Sequence, residues 1–245
     1  MLKEKNAIIT GARRGIGRAT VEVFAKNGAN VWACARAKDE AFEADMSQLA
    51  EKYGVWIRPV FFEMTDSAQI KEAVNIIRKD KQPIDVLVNN AGISYDALLP
   101  MLSIDKTREL FEVNFFSHVQ LTQLISRIMM RQKNGCIINT SSYLAEDGNR
   151  GQSMYSASKA AMSAFTRSLA KEFSEYGIRV NAVAPGVVDT ELIQTITEDD
   201  MSNIMQKVCL HRPASPTEIG NVIAMLASDM SSYVNGQIIR IDGGI

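Results

Sequence analysis

The stretch TGARRGIG, residues 10–17, decides the fold. It follows a β-branched run, NAIIT (6–10), and opens a helical pattern over 15–27. A strand that turns at Gly11 and feeds a helix near Gly15 is the first half of a β-α unit. Glycine permits the tight connection and lets backbone N–H groups at a helix start approach a phosphate. The spacing is G-x-x-x-G-x-G, not the usual dinucleotide fingerprint G-x-G-x-x-G, so the turn alone also fits a plain strand-to-helix connection.

The same alternation continues outward. NVWACA (30–35), VWIRPVFF (55–62), IDVLVN (84–89), CIINTS (136–141), IRVNAVA (178–184) and QIIRI (237–241) read as strands. Several are apolar on both faces, as parallel strands covered on each side must be. Helical patterns lie between them at 39–53, 66–80, 103–132, 152–176 and 216–228. SPTE (215–218) carries a helix-start signature, with Ser215 as cap, Pro216 in the first turn and Glu218 three residues after the cap. This order predicts an α/β fold: one Rossmann-like, doubly wound parallel sheet of about seven strands with helices on both faces. Right-handed crossovers put the ligand crevice at the carboxyl ends of the strands. No linker or repeat divides residues 1–245, so a single domain is expected. The segment 190–214 breaks the rhythm; it is polar and Met-rich, and reads as a substrate lid or as a plain surface helix pair.

Composition narrows the class. Lys plus Arg total 27 and Asp plus Glu total 28, a net charge of −1. That balance gives no global reason to expect nucleic acid or an anionic membrane as partner. The three cysteines, Cys34, Cys136 and Cys209, form neither a metal-ligand spacing nor a disulfide framework, which fits a reducing cytoplasm. No metal site, signal peptide or membrane span is expected.

The second strand reports on the nucleotide. An NAD site of this type places an acid near its end, to accept from the ribose 2′-OH. Here that position is Ala35, followed by Arg36, and Arg14 lies inside the glycine turn. Two arginines without a carboxylate suit a 2′-phosphate, so NADP(H) is expected rather than NAD(H).

MYSASKAAM (154–162) places Tyr155 and Lys159 on one helix face. A nearby ammonium favours a phenolate, which would lower the tyrosine pKa and make it a usable general acid. The two histidines, His118 and His211, sit in no chemical motif and read as structural or surface residues.

Taken in order, TGARRGIG (10–17), NNAG (89–92), Asn114, Ser142 in TSSY, YSASK (155–159) and PGVVDT (185–190) resemble the classical short-chain dehydrogenases/reductases across essentially the whole chain. GNRGQSMYSASKAAM is most similar to bacterial 3-oxoacyl-[acyl-carrier-protein] reductases. The resemblance implies a catalytic tetrad of Asn114, Ser142, Tyr155 and Lys159. Ser142 would hold the substrate carbonyl, Tyr155 would donate the proton, and Lys159 would lower the Tyr155 pKa and bond the nicotinamide ribose. Asn114 would hold a relay water. It implies cofactor contacts from Gly11, Arg13, Arg14, Gly15, Ile16 and Gly17, from Arg36, and from Glu63 and Met64 after the third strand. Asn90, Ala91 and Gly92 would line the ribose side, with Asn90 also steadying the fourth strand. Pro185, Gly186, Val188 and Thr190 would hold the carboxamide.

The implied reaction is NADPH-dependent reduction of a ketone, with a 3-oxoacyl thioester favoured and acyl carrier protein as a partner. At a turn where carrier-protein reductases often dock their acidic partner through arginine, this chain has Glu175 and Tyr176, while Lys133 keeps a positive charge at another docking position. Alternatives are the same fold acting on a sugar, steroid-like or other small carbonyl, and an NADP(H)-binding regulatory protein without turnover. Family members are commonly homotetramers, through 103–132, 152–176 and the last strand, so a homotetramer, or else a dimer, is expected.

Overall fold

The computed structural model describes residues 1–191 and 198–245. Its strands are β1 (Asn6–Thr10), β2 (Asn30–Ala35), β3 (Ile57–Phe61), β4 (Val86–Asn89), β5 (Gly135–Thr140), β6 (Ile178–Pro185) and β7 (Ile238–Ile241). All pair in parallel in one seven-stranded sheet of order β3-β2-β1-β4-β5-β6-β7. The order reverses between β1 and β4, which places the crevice where Gly11 and Asn90 leave the sheet.

Side chains alternate across the sheet with the period of two that a strand imposes. Ile9, Val31, Ala33, Val86 and Val88 enter one buried layer. There they meet α1 (Gly15–Lys26), α2 (Glu40–Tyr53) and α9 (Pro216–Ala227), through residues such as Phe24, Met46 and Ile223. Ile8, Trp32, Cys34 and Leu87 enter the other. That layer is closed by α3 (Ser67–Lys79), α5 (Ser117–Gln132) and α7 (Ser153–Glu172), through residues such as Ile77, Ile125 and Leu169. Burial on both faces explains why these strands are almost purely apolar. Pro59 fits because β3 is an edge strand, where one side of the ladder needs no donor. The Ser215 cap and Glu218 form a reciprocal capping box at the start of α9.

Two expected helices are interrupted. The segment read as one helix over 103–132 is α4 (Ile104–Phe111), a wider π turn over Glu112–Phe116, and α5. The π turn carries Asn114, whose side chain is bonded to the loop after β4 rather than turned to solvent. The helix read over 152–176 ends at Glu172, and a tight turn over Ser174–Tyr176 runs into Gly177, which takes a left-handed φ of 69°. A short α6 (Leu144–Asp147), absent from the sequence pattern, follows Ser142.

Of the lid expected over 190–214, residues 192–197 lie outside the described residues. The rest includes α8 (Glu198–Met205). The base of the segment is stitched together where Asp189 N–H donates to Ala214 O at 2.8 Å and Ala214 N–H to Val187 O at 2.9 Å. Cys209 and Leu210 pair with Gly244 and Gly243 of the C-terminus.

Candidate active site

The glycine turn has the shape that a dinucleotide phosphate requires. Gly11 and Gly15 take φ of +67° and +55°, where a side chain is strained. A Cβ on Gly17 would sit 2.0 Å from Gly11 O, and one on Gly11 would sit 2.9 Å from Ala91 Cα. Close approach of three backbone segments therefore fixes both residues as glycine. Arg14 caps α1 without a side-chain hydrogen bond, and no acid stands in the first helical turn. The free N–H groups and the positive end of the helix dipole suit a pyrophosphate. Ile16 is half-buried, and its carbonyl accepts from Thr20 Oγ1 at 2.7 Å.

Neighbouring strands complete the cradle. Thr10 Oγ1 accepts from the N–H groups of Asn90 and Ala91 at 2.8 and 3.0 Å, and Asn90 Nδ2 donates to Thr10 O at 3.0 Å. Asn90 thus ties β4 to β1 beside the turn. Pro185 ends β6, and Gly186 lies so close to Asp242 that a Cβ would meet its Cα at 2.7 Å. Val188 is buried, and Thr190 Cγ2 lies 3.3 Å from the place of a Cβ on Gly15. The PGVVDT segment and the phosphate turn therefore face each other.

The two arginines expected at a 2′-phosphate are ion-paired, Arg14 with Glu191 and Arg36 with Glu63, as is the neighbouring Arg13 with Asp39. Glu63 engages Arg36, and the Met64 carbonyl accepts from Ser117 Oγ. No carboxylate occupies the end of β2 itself, where Ala35 is buried.

Asn114, Ser142, Tyr155 and Lys159 converge where β4 and β5 end. Asn114 is fully buried; its Oδ1 accepts from Ile93 N–H at 2.9 Å and its Nδ2 donates to Ile93 O at 3.0 Å. Ser141 Oγ donates into α7, at 2.9 Å from Lys159 O, so Ser142 is the serine left for the crevice. Ser142 Oγ accepts from Leu144 N–H at 3.2 Å and faces the Tyr155 phenol, whose ionised form it favours. Lys159 is buried, and its Nζ donates to Thr140 O at 2.9 Å.

The electrostatics differ from the sequence expectation in one respect. The Tyr155 pKa is raised overall, not lowered. Burial pushes the phenol up to about 12, against the Ser142 hydroxyl and with help from Asp96 and Tyr143. Burial also pulls the Lys159 ammonium down to about 8. Lys159 Nζ lies 5.8 Å from the Tyr155 ring centroid, aimed at the Thr140 carbonyl, so desolvation of the phenol outweighs the distant charge.

Other participants are absent from the sequence expectation. Asp96, in the loop after β4, receives the Gln152 amide at 3.2 Å and joins the two loops that frame Tyr155. Behind the site, Asn89 Nδ2 donates to Asn139 Oδ1 at 2.8 Å and Asn139 Nδ2 to Thr166 Oγ1 at 2.8 Å. Asparagines at the ends of apolar strands were the visible clue, since a buried amide must be bonded.

Comparison with known proteins shows the family. A family model described as enoyl-(acyl carrier protein) reductase matches residues 11–245. The 3-oxoacyl-[acyl-carrier-protein] reductase of Thermotoga maritima is 41% identical over 244 residues, covering 100% of this chain and 98% of its own. A 3α-hydroxysteroid dehydrogenase of Mediterraneibacter gnavus is 36% identical over 246 residues, covering 99% and 97%. The crystal structure of a 3-oxoacyl-[acyl-carrier protein] reductase from Brucella melitensis superimposes with a TM-score of 0.90 at 30% identity, covering 100% of this chain and 92% of that one. The chain belongs to the short-chain dehydrogenase/reductase family, and is an oxidoreductase of the kind that uses a nicotinamide cofactor.

Proposed function

We propose that this protein is an NADPH-dependent ketoreductase whose substrate is a 3-oxoacyl thioester, acting as a single domain over residues 1–245. The observation that carries the reading is the meeting of Ser142, Tyr155 and Lys159 beside the glycine cradle. A reduced nicotinamide cofactor held by the glycine turn over 11–17, Asn90 and the PGVVDT segment would supply the hydride for the carbonyl carbon. Ser142 Oγ–H donates to the carbonyl oxygen and orients it. Tyr155 transfers its proton to the oxygen as it becomes an alkoxide. A phenol pushed up to about 12 keeps that proton until the acceptor forms. Lys159, with a pKa of about 8, is mostly cationic at neutral pH and stabilises the phenolate left behind. Gly92 keeps open the gap between Asn114 and Lys159: a Cβ there would lie 3.3 Å from Asn114 Oδ1 and 3.5 Å from Lys159 Nζ. Asn114 would hold a relay water there, between Lys159 and solvent.

The absence of an acid at Ala35 and the presence of Arg14 and Arg36 support NADPH over NADH. A 2′-phosphate would draw Arg36 and Arg14 from the carboxylates that hold them. The thioester substrate rests on the names of the similar reductases, and acyl carrier protein as its bearer rests on the same ground. The steroid dehydrogenase relative supports a second reading, a hydroxysteroid or its ketone as substrate. Leu98, Leu99, Met101, Ile104 and Phe116 are exposed around α4, which supports a homotetramer joined through these helices. No helix among the described residues is long and apolar enough to cross a membrane, and a cytoplasmic location is part of the proposal. The test is a panel of 3-oxoacyl thioesters, steroid ketones and sugars, each with NADPH and NADH. Fastest turnover of a thioester with NADPH is expected. Preference for a steroid ketone would establish the second reading, and NADPH binding without turnover would remove the enzyme reading.

A further inference from the structure

We infer that His118 is a positioning residue of this site: its Nε2–H holds the Ala91 carbonyl, and so fixes the Ala91–Gly92 turn between the glycine cradle and Lys159. The inference rests on the nicotinamide-cofactor reading of the cradle.

His118 lies on α5 and is buried. Nε2 is 2.7 Å from Ala91 O, and Nδ1 is 3.2 Å from Asn89 Oδ1. Both neighbours are oxygens. Asn89 cannot offer its amide N–H groups instead, because Nδ2 is committed to Thr122 Oγ1 at 2.9 Å and to Asn139 Oδ1 at 2.8 Å. A neutral imidazole has one proton for two acceptors. A second proton is opposed by burial and then by the nearby Lys159 charge, which together bring the ring down to about 4 despite the Ala91 carbonyl. The single proton therefore belongs on Nε2, where the contact is shorter.

That assignment gives the Ala91 peptide units two anchors. Ala91 N–H donates to Thr10 Oγ1 at 3.0 Å, from β1, and Ala91 O accepts from His118, on α5. The residue between those anchors borders both halves of the site. Its Cα lies 2.9 Å from the place of a Cβ on Gly11. The next residue, Gly92, has Lys159 Nζ 3.5 Å from the place of its own Cβ. Loss of the Nε2–H bond leaves a part-buried carbonyl without its donor, so the turn must shift to find another. Such a shift moves the wall of the cradle and the surroundings of Lys159 together.

Two amide substitutions separate the contacts. In His118→Gln the side-chain amide reaches the place of Nε2, and in His118→Asn only that of Nδ1. NADPH affinity is read by protein fluorescence, so it is independent of turnover, and thermal midpoints are measured alongside. The Gln variant should keep its NADPH Kd within about threefold, and the Asn variant should lose about tenfold, the cost of one buried hydrogen bond. The Asn variant should also show a lower kcat with a shifted pH profile, because Lys159 is disturbed. Equal Kd values in folded Gln and Asn variants would overturn the inference, as would a Gln variant as weak as Asn. Should either variant fail to fold, imidazole ¹⁵N NMR of the wild-type protein decides: a protonated Nε2 supports the assignment, and a protonated Nδ1 overturns it. Wild-type protein that does not bind NADPH at all would instead count against the cofactor reading.

Discussion

Lys159 Nζ donates to the Thr140 carbonyl at 2.9 Å and stands 5.8 Å from the centroid of the Tyr155 ring, one helical turn away on the same face of α7. The two groups are displaced in opposite directions by the same burial, the phenol up to about 12 and the ammonium down to about 8. Each is pushed toward its neutral form, which is the response of any acid and any base to desolvation. The phenol therefore waits as a protonated acid, and four predictions follow from this arrangement and its frame.

Replacing Tyr155 with Phe removes the proton donor and keeps the ring. Turnover should fall roughly 100- to 10,000-fold, the usual worth of a general acid. NADPH Kd, read by fluorescence titration, should move by less than about threefold. A variant with near-normal turnover would assign the proton to another group.

Arg36 is paired with Glu63 and has no other acid at the end of β2. Arg36→Asp should lower the NADPH/NADH ratio of kcat/KM by roughly 10- to 100-fold, the loss of a charge-assisted bond plus a new repulsion. Steady-state kinetics with both cofactors reads the ratio directly. An unchanged ratio would remove Arg36 from the phosphate site.

Gly17 has no room for a methyl group, since its Cβ would lie 2.0 Å from the Gly11 carbonyl oxygen. The obstacle is backbone and cannot rotate away. Gly17→Ala should destabilise the fold by at least about 2 kcal/mol and abolish NADPH retention, read by denaturant unfolding and by fluorescence. Gly54→Ala is the comparison, with nothing within 4 Å of its Cβ and a φ of 68°; it should cost backbone strain alone and leave cofactor affinity intact.

His118 titrates at about 4 in the fold, against 6.5 for the free side chain, chiefly through burial. The unfolded chain takes up this proton first as pH falls. Its contribution to stability is whole above pH 6.5 and is lost as pH falls toward 4, a change of about 3 kcal/mol. The Lys159 ammonium, the charged neighbour, stays protonated throughout this window. Urea unfolding across that range should show the loss in wild type and a shallower one in His118→Gln. Parallel pH curves would contradict the buried neutral imidazole.

Much of this molecule was legible in the sequence, because parallel strands covered on two faces must be apolar throughout. NAIIT and NVWACA are β1 and β2 residue for residue, with Ile8 and Ile9 serving opposite layers. Gly11 and Gly17 were legible because close backbone packing leaves glycine no substitute. The π turn at Asn114 was not, since the side chain it carries is bonded to Ile93, a residue 21 positions away. Nor was the direction of the Tyr155 shift. The i, i+4 spacing places Lys159 on the same face, but it says nothing of the burial or of the Thr140 carbonyl that claims the ammonium. His118 looked structural for a similar reason: its partners, Asn89 and Ala91, lie on another segment.

The central claim is that hydride from a nicotinamide and a proton from Tyr155 meet on one carbonyl. NADPH deuterated on both faces at C4, mixed with a 3-oxoacyl thioester and either wild-type protein or Tyr155→Phe, tests it in one mass measurement of the product alcohol. Wild type should place one deuterium on the carbinol carbon, at a rate that the Phe variant loses. Product without deuterium, or equal rates in the two proteins, would contradict it.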